Sequence, residues 1–556
     1  MQTLSRRAFG WQVAAGLVGL TPAARSQSRS GVEHCSTEWS FTSGKRYSDP
    51  FHEVELHVLF RGPDGAEHRV PAFWAGERMW RVRFAPPVAG RYSWRTTSSD
   101  TSNDDLDGLT GSLDVAPYEG TNALLKHGPV RVNARRRHFE HADGTPFFWL
   151  GDTWWMALTK RLSWPDDFQE LAADRVRKGF TVVQIVAGLY PDMPQFDPRG
   201  ANESGYPWER DYTRINPSYF DMADLRIRYL VSQGIMPCIV GCWGYYLPIL
   251  GVAKMKQHWR YLIARWGSLP VVWCLAGEGS MPYYLSTQKE KDQAEQKRGW
   301  TEIARYVRDI DPAHHMITIH PSTSARVTVD DPSVLDFDML QTGHGDRASI
   351  PNTVESVVKS QAQTPVMPVL VGEVCYEGIM EASRQEVQRF MFWTSILNGA
   401  AGHTYGANGI WQVNRKEQPF GPSPHGRSWG DTPCDEAYRL PGSGQLGLAR
   451  QLLLRYPWWR LEAHPEWVEP HWSRQNYLQP YCGGIPGELR IVFCPPMWDP
   501  PLVKALEPAV SYRAFLFNPA TGKETPIGDV QPDSSGSWRP PVFPIFQDWV
   551  LVLEKA

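Results

Sequence analysis

Val271-Val272-Trp273-Cys274-Leu275-Ala276-Gly277-Glu278 and Pro368-Val369-Leu370-Val371-Gly372-Glu373 are two apolar, strand-like runs, each ending on a glutamate with a glycine just before it. A carboxylate at the end of a buried parallel strand loses solvation, so it persists where it is paired or has work to do. Two such strand ends within one series of alternating strands and helices suggest a pair of acids at the mouth of a barrel.

Working outward, residues 146–460 alternate strand and helix. Strands are expected at 147–151, 181–186, 236–241, 271–278, 316–319, 337–341, 366–371 and 400–404. Ser163 and Pro165 open a helix whose apolar face carries Phe168, Leu171, Ala172 and Val176, and Gly179 ends it. Phe220, Ala223, Ile227, Leu230 and Val231 line the next helix, which stops at Gly234. Met255, Trp259, Leu262, Ile263 and Trp266 line a third, and a last helix is expected over 445–455. Eight strand-then-helix units in about 315 residues are what a (β/α)8 barrel requires. An open doubly wound sheet competes, but Gly151-Asp152-Thr153-Trp154 after the first strand lacks its nucleotide fingerprint. The expected class is α/β, a (β/α)8 TIM barrel over 140–465. An N-terminal β-sandwich (30–125) and a C-terminal one (466–556) flank it, both read from short alternating strands between Pro and Gly turns.

The chain has 556 residues, too many for one core. Its net charge of −3 gives no basic footprint for nucleic acid. The 25 Trp, 21 Tyr and 22 Phe suit either sugar-stacking clefts or large cores. Ser5-Arg6-Arg7-Ala8-Phe9, a short apolar run from Trp11 to Leu20 and a small-residue zone near Ala24 to Ser26 match a twin-arginine export signal over 1–26. That run is too short to span a bilayer, so the mature chain is expected outside the cytoplasm, periplasmic or secreted, with no membrane segment. None of the eight cysteines forms a CxxC pair, which argues against zinc. Cys238, Cys242 and Cys274 read as buried thiols, whereas Cys482 and Cys494 flank a possible hairpin and could pair.

Two motifs carry no chemistry. His52-Glu53-Val54-Glu55-Leu56-His57 has its histidines five apart on what reads as a strand, the wrong geometry for a zinc protease. Gly442-Ser443-Gly444-Gln445-Leu446-Gly447 follows no strand and reads as a loop and helix start. The acid pair is stronger. Glycosidic cleavage needs one carboxyl to protonate the leaving oxygen and another to attack the anomeric carbon or activate water. Glu278 and Glu373 end strands four and seven, on opposite sides of the mouth; the plain alternative is a structural acid in an ion-pair network. Asp152, Trp154, Gln184, Trp243, His320, Gln341, His344, His403, Tyr405, Asn408 and Trp411 fall at the same ends of their strands and are the candidate substrate-binding set. Tyr376 and Glu377 are expected to support Glu373, with Tyr376 also a candidate for the sugar.

Trp149-Leu150-Gly151-Asp152-Thr153-Trp154, Val371 to Gly378, Gly402 to Trp411 and Arg455-Tyr456-Pro457-Trp458-Trp459 together resemble the apiosidase-like glycoside hydrolases of the family 140 type. The likeness spans 140–465, and the flanking segments resemble modules that accompany such barrels. The resemblance implies glycosidic hydrolysis without a metal or organic cofactor, with Glu373 as nucleophile and Glu278 as acid/base. One departure stands out: the family commonly has Gly-Gly-Asp where this chain has Ala276-Gly277-Glu278, a carboxyl longer by about one methylene. The expected partner is a carbohydrate. A carbohydrate- or matrix-binding protein with an inactive barrel and an endo-acting cellulase-like glycanase are the competing readings.

Overall fold

The computed structural model describes residues 27–556, so the expected export signal lies outside the described residues. Eight parallel strands form the central sheet: β1 (Trp149–Thr153), β2 (Val182–Val186), β3 (Met236–Val240), β4 (Val272–Cys274), β5 (Ile317–Thr318), β6 (Asp338–Gln341), β7 (Val369–Glu373) and β8 (Gly402–Tyr405). They pair in the order β5-β4-β3-β2-β1-β8-β7-β6. Pairing of Trp149 with Gly402 joins the last strand to the first. At the β5–β6 seam no ladder forms. Asp336 N–H donates to Ile317 O at 2.8 Å, and Thr318 Oγ1 donates to Phe337 O at 3.1 Å. The result is a nearly closed TIM-like barrel.

Among the described residues seven helices of three turns or more surround it: α1 (Asp166–Arg177), α2 (Pro217–Ser232), α3 (Tyr246–Trp266), α4 (Lys289–Ile310), α5 (Ile350–Gln361), α6 (Gln385–Leu397) and α7 (Pro441–Leu453). The expected apolar faces of α2 and α3 are buried; on α1, Val176 instead faces solvent while Phe168, Leu171 and Ala172 are covered. Gly179 and Gly234 follow α1 and α2 with φ of +79° and +76°, the left-handed conformation that stops a helix. Between β5 and β6 the full helical unit expected from the sequence is reduced to one turn, Ala325–Thr328. Pro321 and Pro332 bracket that segment and limit helix growth, and the shortened unit coincides with the weak seam.

The first strand begins two residues later than expected, because Pro146–Phe147 joins a separate three-stranded sheet with Val130–Val132 and Phe139–His141. This sheet caps the barrel floor: the Phe139 ring packs 5.5 Å from Trp149 and, edge-on, 5.1 Å from Phe337. The opposite end, where the strands finish, is left for a site.

The N-terminal domain is a two-sheet sandwich. One sheet has five strands, the other joins Thr37–Thr42, Met79–Phe84 and Phe73–Trp74, and Phe60 stacks on Phe84 at 4.3 Å between them. Its Arg83 reaches the barrel, donating to Asp224 Oδ2 at 2.5 Å and to Arg265 O at 2.8 Å. Arg265 also bonds Asp224, so the buried charges are paired. In the C-terminal domain one six-stranded antiparallel sheet is backed by a two-stranded ribbon, Val468–Glu469 with Leu502–Val503, so the second layer of the expected sandwich is small. Arg389 of α6 holds this domain through two 2.7 Å bonds to Asp548.

Three sequence details resolve here. Cys482 and Cys494 are not bridged: all eight cysteines are free, and Cys482 sits opposite Val492 in the hairpin. His52 lies in a helical turn, Pro50–Glu53, and His57 in the strand Leu56–Arg61, so the segment is not one continuous strand. The glycine-rich run opens α7, where Gly442 N–H donates to Glu377 Oε1 and Oε2 at 3.1 and 3.0 Å. A Cβ on Gly442 would stand 2.4 Å from Glu377 Oε2, so only glycine lets the carboxylate approach the helix end.

Candidate active site

Glu278 and Glu373 both reach the mouth at the strand ends, and the glycine before each has a steric cause. A Cβ on Gly277 would lie 2.2 Å from the Trp243 ring, and one on Gly372 would lie 2.4 Å from Met339 Cγ. Neighbouring strand-end side chains occupy the space a larger residue would need. Glu278 itself adopts φ of +42°, a left-handed conformation that is strained for a residue with a Cβ.

Glu373 is buried and held on both oxygens. His344 Nε2 donates to Oε1 at 2.8 Å, and Gln341 Nε2 donates to the same oxygen at 3.2 Å. Tyr376 Oη donates to Oε2 at 2.6 Å, and His320 Nε2 stands 3.1 Å from it. His320 is close but off the line of a well-directed hydrogen bond, and neither of its ring nitrogens has another partner. His344 Nδ1 accepts from Tyr376 N–H at 3.3 Å, which assigns the proton to Nε2 and makes it the donor. Burial opposes ionisation of Glu373, but its contacts with His320 and His344 outweigh it and hold its carboxyl well below the ordinary range.

Glu278 lacks such a shell. Gln341 Nε2 donates to its Oε1 at 3.3 Å, so one amide bridges the two acids. Burial first, then the negative charge of Glu373, pushes Glu278 up to about 7. A β-bulge sets the bridge: Leu340 pairs with Val371, but Gln341 pairs with Glu373, skipping Gly372. The extra residue aims the amide between the carboxyls.

The candidate residues divide by strand face. His320 lies beside Trp243 and Trp155, with ring centroids 6.3 and 5.3 Å away. Gln184 lies deeper in the barrel and donates to Gly372 O at 2.8 Å, steadying the strand that carries Glu373. Trp411 stands 6.4 Å from Tyr376, and Asn408 is fully buried; the Trp411 Nε1 and both amide atoms of Asn408 are unpartnered.

Four residues point away from the mouth. Asp152 Oδ2 accepts from Arg175 of α1 at 2.6 Å and from Trp154 Nε1 at 2.7 Å. Trp154 packs on Phe168 of α1. Tyr405 lies under the Arg175 guanidinium and donates to Glu377 Oε2 at 2.6 Å. His403 packs against Phe392 of α6. These side chains sit between strands and helices, in a charged network and an aromatic contact, because alternate residues of a strand face opposite ways. The same alternation exposes a residue that the sequence reading passed over. Trp155, next to Trp154, turns inward, and its Nε1 donates to Tyr376 Oη at 3.0 Å. Glu377 likewise belongs to the outer network rather than to Glu373. Among the described residues no group of three or more His, Cys, Asp or Glu side chains is arranged to hold a metal ion.

A parallel barrel with one clamped and one unclamped carboxyl at its C-terminal mouth defines the class, a barrel glycoside hydrolase. The chain belongs to the apiosidase-like family, whose catalytic-domain profile matches residues 133–460. Residues 33–99 match a domain of unknown function, DUF5060. The fold is similar to that of a candidate glycoside hydrolase from Bacteroides vulgatus, at 18% identity and a TM-score of 0.70, covering 95% of this chain and 100% of that one. A family 5 glycoside hydrolase from the same organism aligns at 22% identity and a TM-score of 0.64, over 77% and 94% of the two chains. No curated protein sequence matches the chain.

The steric reading of the glycines is testable. Gly277→Ala is expected to drive the Glu278 segment away from Trp243 and to lower kcat/KM by at least about tenfold, a loss of about 1.4 kcal/mol in transition-state binding. Gly65→Ala serves as the turn control. Steady-state kinetics and melting curves check it.

Proposed function

We propose that the protein hydrolyses a glycosidic bond in a plant or bacterial polysaccharide or oligosaccharide, with retention, using Glu373 as nucleophile and Glu278 as general acid/base. The observation that carries this reading is the opposite treatment of two carboxyls bridged by one amide. The nucleophile must be ionised and the acid protonated at rest. The hydrogen-bonded shell supports the first state for Glu373, and burial beside that charge supports the second for Glu278. Their separation agrees. With both Oε1 atoms within 3.3 Å of Gln341 Nε2 they stand at most about 6.5 Å apart, close to the 5–5.5 Å of retaining pairs and at the lower edge of the 6.5–9.5 Å inverting range.

In the first step Glu373 attacks the anomeric carbon while Glu278 delivers its proton to the leaving oxygen. Glu278, now ionised, then takes a proton from the water that cleaves the glycosyl-enzyme ester. His344 and Tyr376 hold Glu373 in line, and Trp155 fixes Tyr376. Trp243, Trp411 and Asn408 supply apolar faces and free polar atoms for a sugar. Asp152, Trp154, His403 and Tyr405, which face the helices, carry no substrate role in this reading.

Glu373→Gln keeps the shape and removes the nucleophile. It is expected to lower turnover at least about 10⁴-fold in a screen of aryl furanosides, aryl pyranosides and polysaccharides, with an unchanged melting temperature. Retained activity would reassign the nucleophile. Glu278→Gln should spare the first step for activated aryl leaving groups and slow it for natural ones.

The pH dependence has a defined sign. Glu278 must be protonated to act as acid, so kcat/KM is expected to fall as pH rises through about 7. Glu373 stays ionised far below that, so the acid limb lies well down the scale. A plateau persisting to pH 9 would remove Glu278 from the acid role.

The proposed setting is extracytoplasmic. Arg6 and Arg7 belong to the twin-arginine pattern, and replacing both with Lys is expected to retain the folded protein in the cytoplasm of a bacterial host. Fractionation and immunoblotting check it; export unaffected by the change would exclude that route.

A further inference from the structure

A third carboxyl stands beside this pair, on the loop that follows β2. Asp192 is 9% exposed and adopts φ of +55°, a strained backbone for a residue with a Cβ. Its N–H donates to Tyr284 Oη at 3.1 Å, and Tyr284 Oη donates back to Asp192 Oδ1 at 3.0 Å. Tyr284 lies six residues beyond Glu278 on the loop after β4. Tyr245, on the loop after β3, packs 5.7 Å from Tyr284 and donates to Tyr190 O at 2.8 Å. Three strand-end loops therefore fix one aspartate.

Only one oxygen of that aspartate is held in a well-directed hydrogen bond. Trp429, on the long loop after β8, brings its buried Nε1 close to the Asp192 carboxylate but off the line of such a bond. Among the described residues no cation forms an ion pair with the group. Arg199 is committed to Asp197 through two 2.9 Å bonds, and Arg427 lies over the Trp429 ring, 4.5 Å from its centroid. His425 reaches Tyr284, 5.0 Å away, rather than the carboxylate. A buried indole N–H that meets a carboxylate only off line is costly unless a ligand completes it. One sugar hydroxyl does so, accepting from Trp429 Nε1 and donating to Oδ2.

We infer that Asp192, with Trp429, is a specificity-determining anchor for a hydroxyl of an uncharged sugar ring held beside Glu278. The inference rests on the glycoside-hydrolase reading and narrows its substrate class. Three carboxyls, Asp192, Glu278 and Glu373, stand close together at the mouth, so a uronate seated among them would add a fourth acidic group. The site accepts neutral glycosyl residues and disfavours acidic ones by repulsion.

Saturation-transfer NMR on the Glu373→Gln protein, with D-xylose, L-arabinose, D-galactose and D-glucuronate as probes, tests this without requiring turnover. The expected result is saturable binding of at least one neutral sugar and none of glucuronate. Adding Asp192→Asn, which keeps the bond to Tyr284 but removes the charge, is expected to weaken neutral binding about ten- to a hundredfold at an unchanged melting temperature. Equal binding with and without Asp192→Asn, glucuronate binding as tightly as the neutral sugars, or no neutral sugar bound would each overturn the anchor. Should the anchor behave as expected while the wild-type protein cleaves nothing in the substrate screen, the hydrolase reading fails and the anchor stands.

Discussion

The bridge of Gln341 between Glu278 and Glu373 is the constraint on which the site depends, because it forces two buried acids to share one donor while only one has further support. Two carboxyls this close do not ionise together without large repulsion. His344, Tyr376 and His320 gather around Glu373, so the surroundings favour the negative charge there and the proton on Glu278. The proposed assignment of roles therefore rests on the surrounding shell, since the two residues are chemically identical.

The barrel exists, from this viewpoint, to hold that shell still. Gln184 crosses the interior to the carbonyl before Glu373, Trp155 fixes the tyrosine, and the bulge in β6 sets the amide. Behind the strands the Asp152–Arg175 pair, Tyr405 and Glu377 lock β1 and β8 to α1 and α7. Removing one member of such a buried pair commonly costs about 3–5 kcal/mol, so this outer network supports the site mechanically.

Much of this was readable from residues. The two acids were legible because a short apolar run ending in Gly-Glu has few meanings, and the strand count followed from alternation with helix-length segments. The face of each strand-end residue was less legible. Trp154 and Trp155 are adjacent and of one type, yet only the second faces inward, and a one-residue slip exchanges them. His403 and Tyr405 share that ambiguity on β8. The bulge at Gln341 leaves no trace in composition, and Asp192 lies in an irregular loop with no periodicity to mark it. The one-turn unit between β5 and β6 was masked because a short strand and two prolines resemble an ordinary connection.

The most direct measurement of the central claim is mass mapping of the enzyme after treatment with an activated 2-deoxy-2-fluoro glycoside of a sugar it cleaves, which traps the covalent intermediate of a retaining enzyme. The account predicts one glycosyl adduct, on the peptide carrying Glu373. An adduct on Glu278, or an active enzyme that forms none, would contradict it.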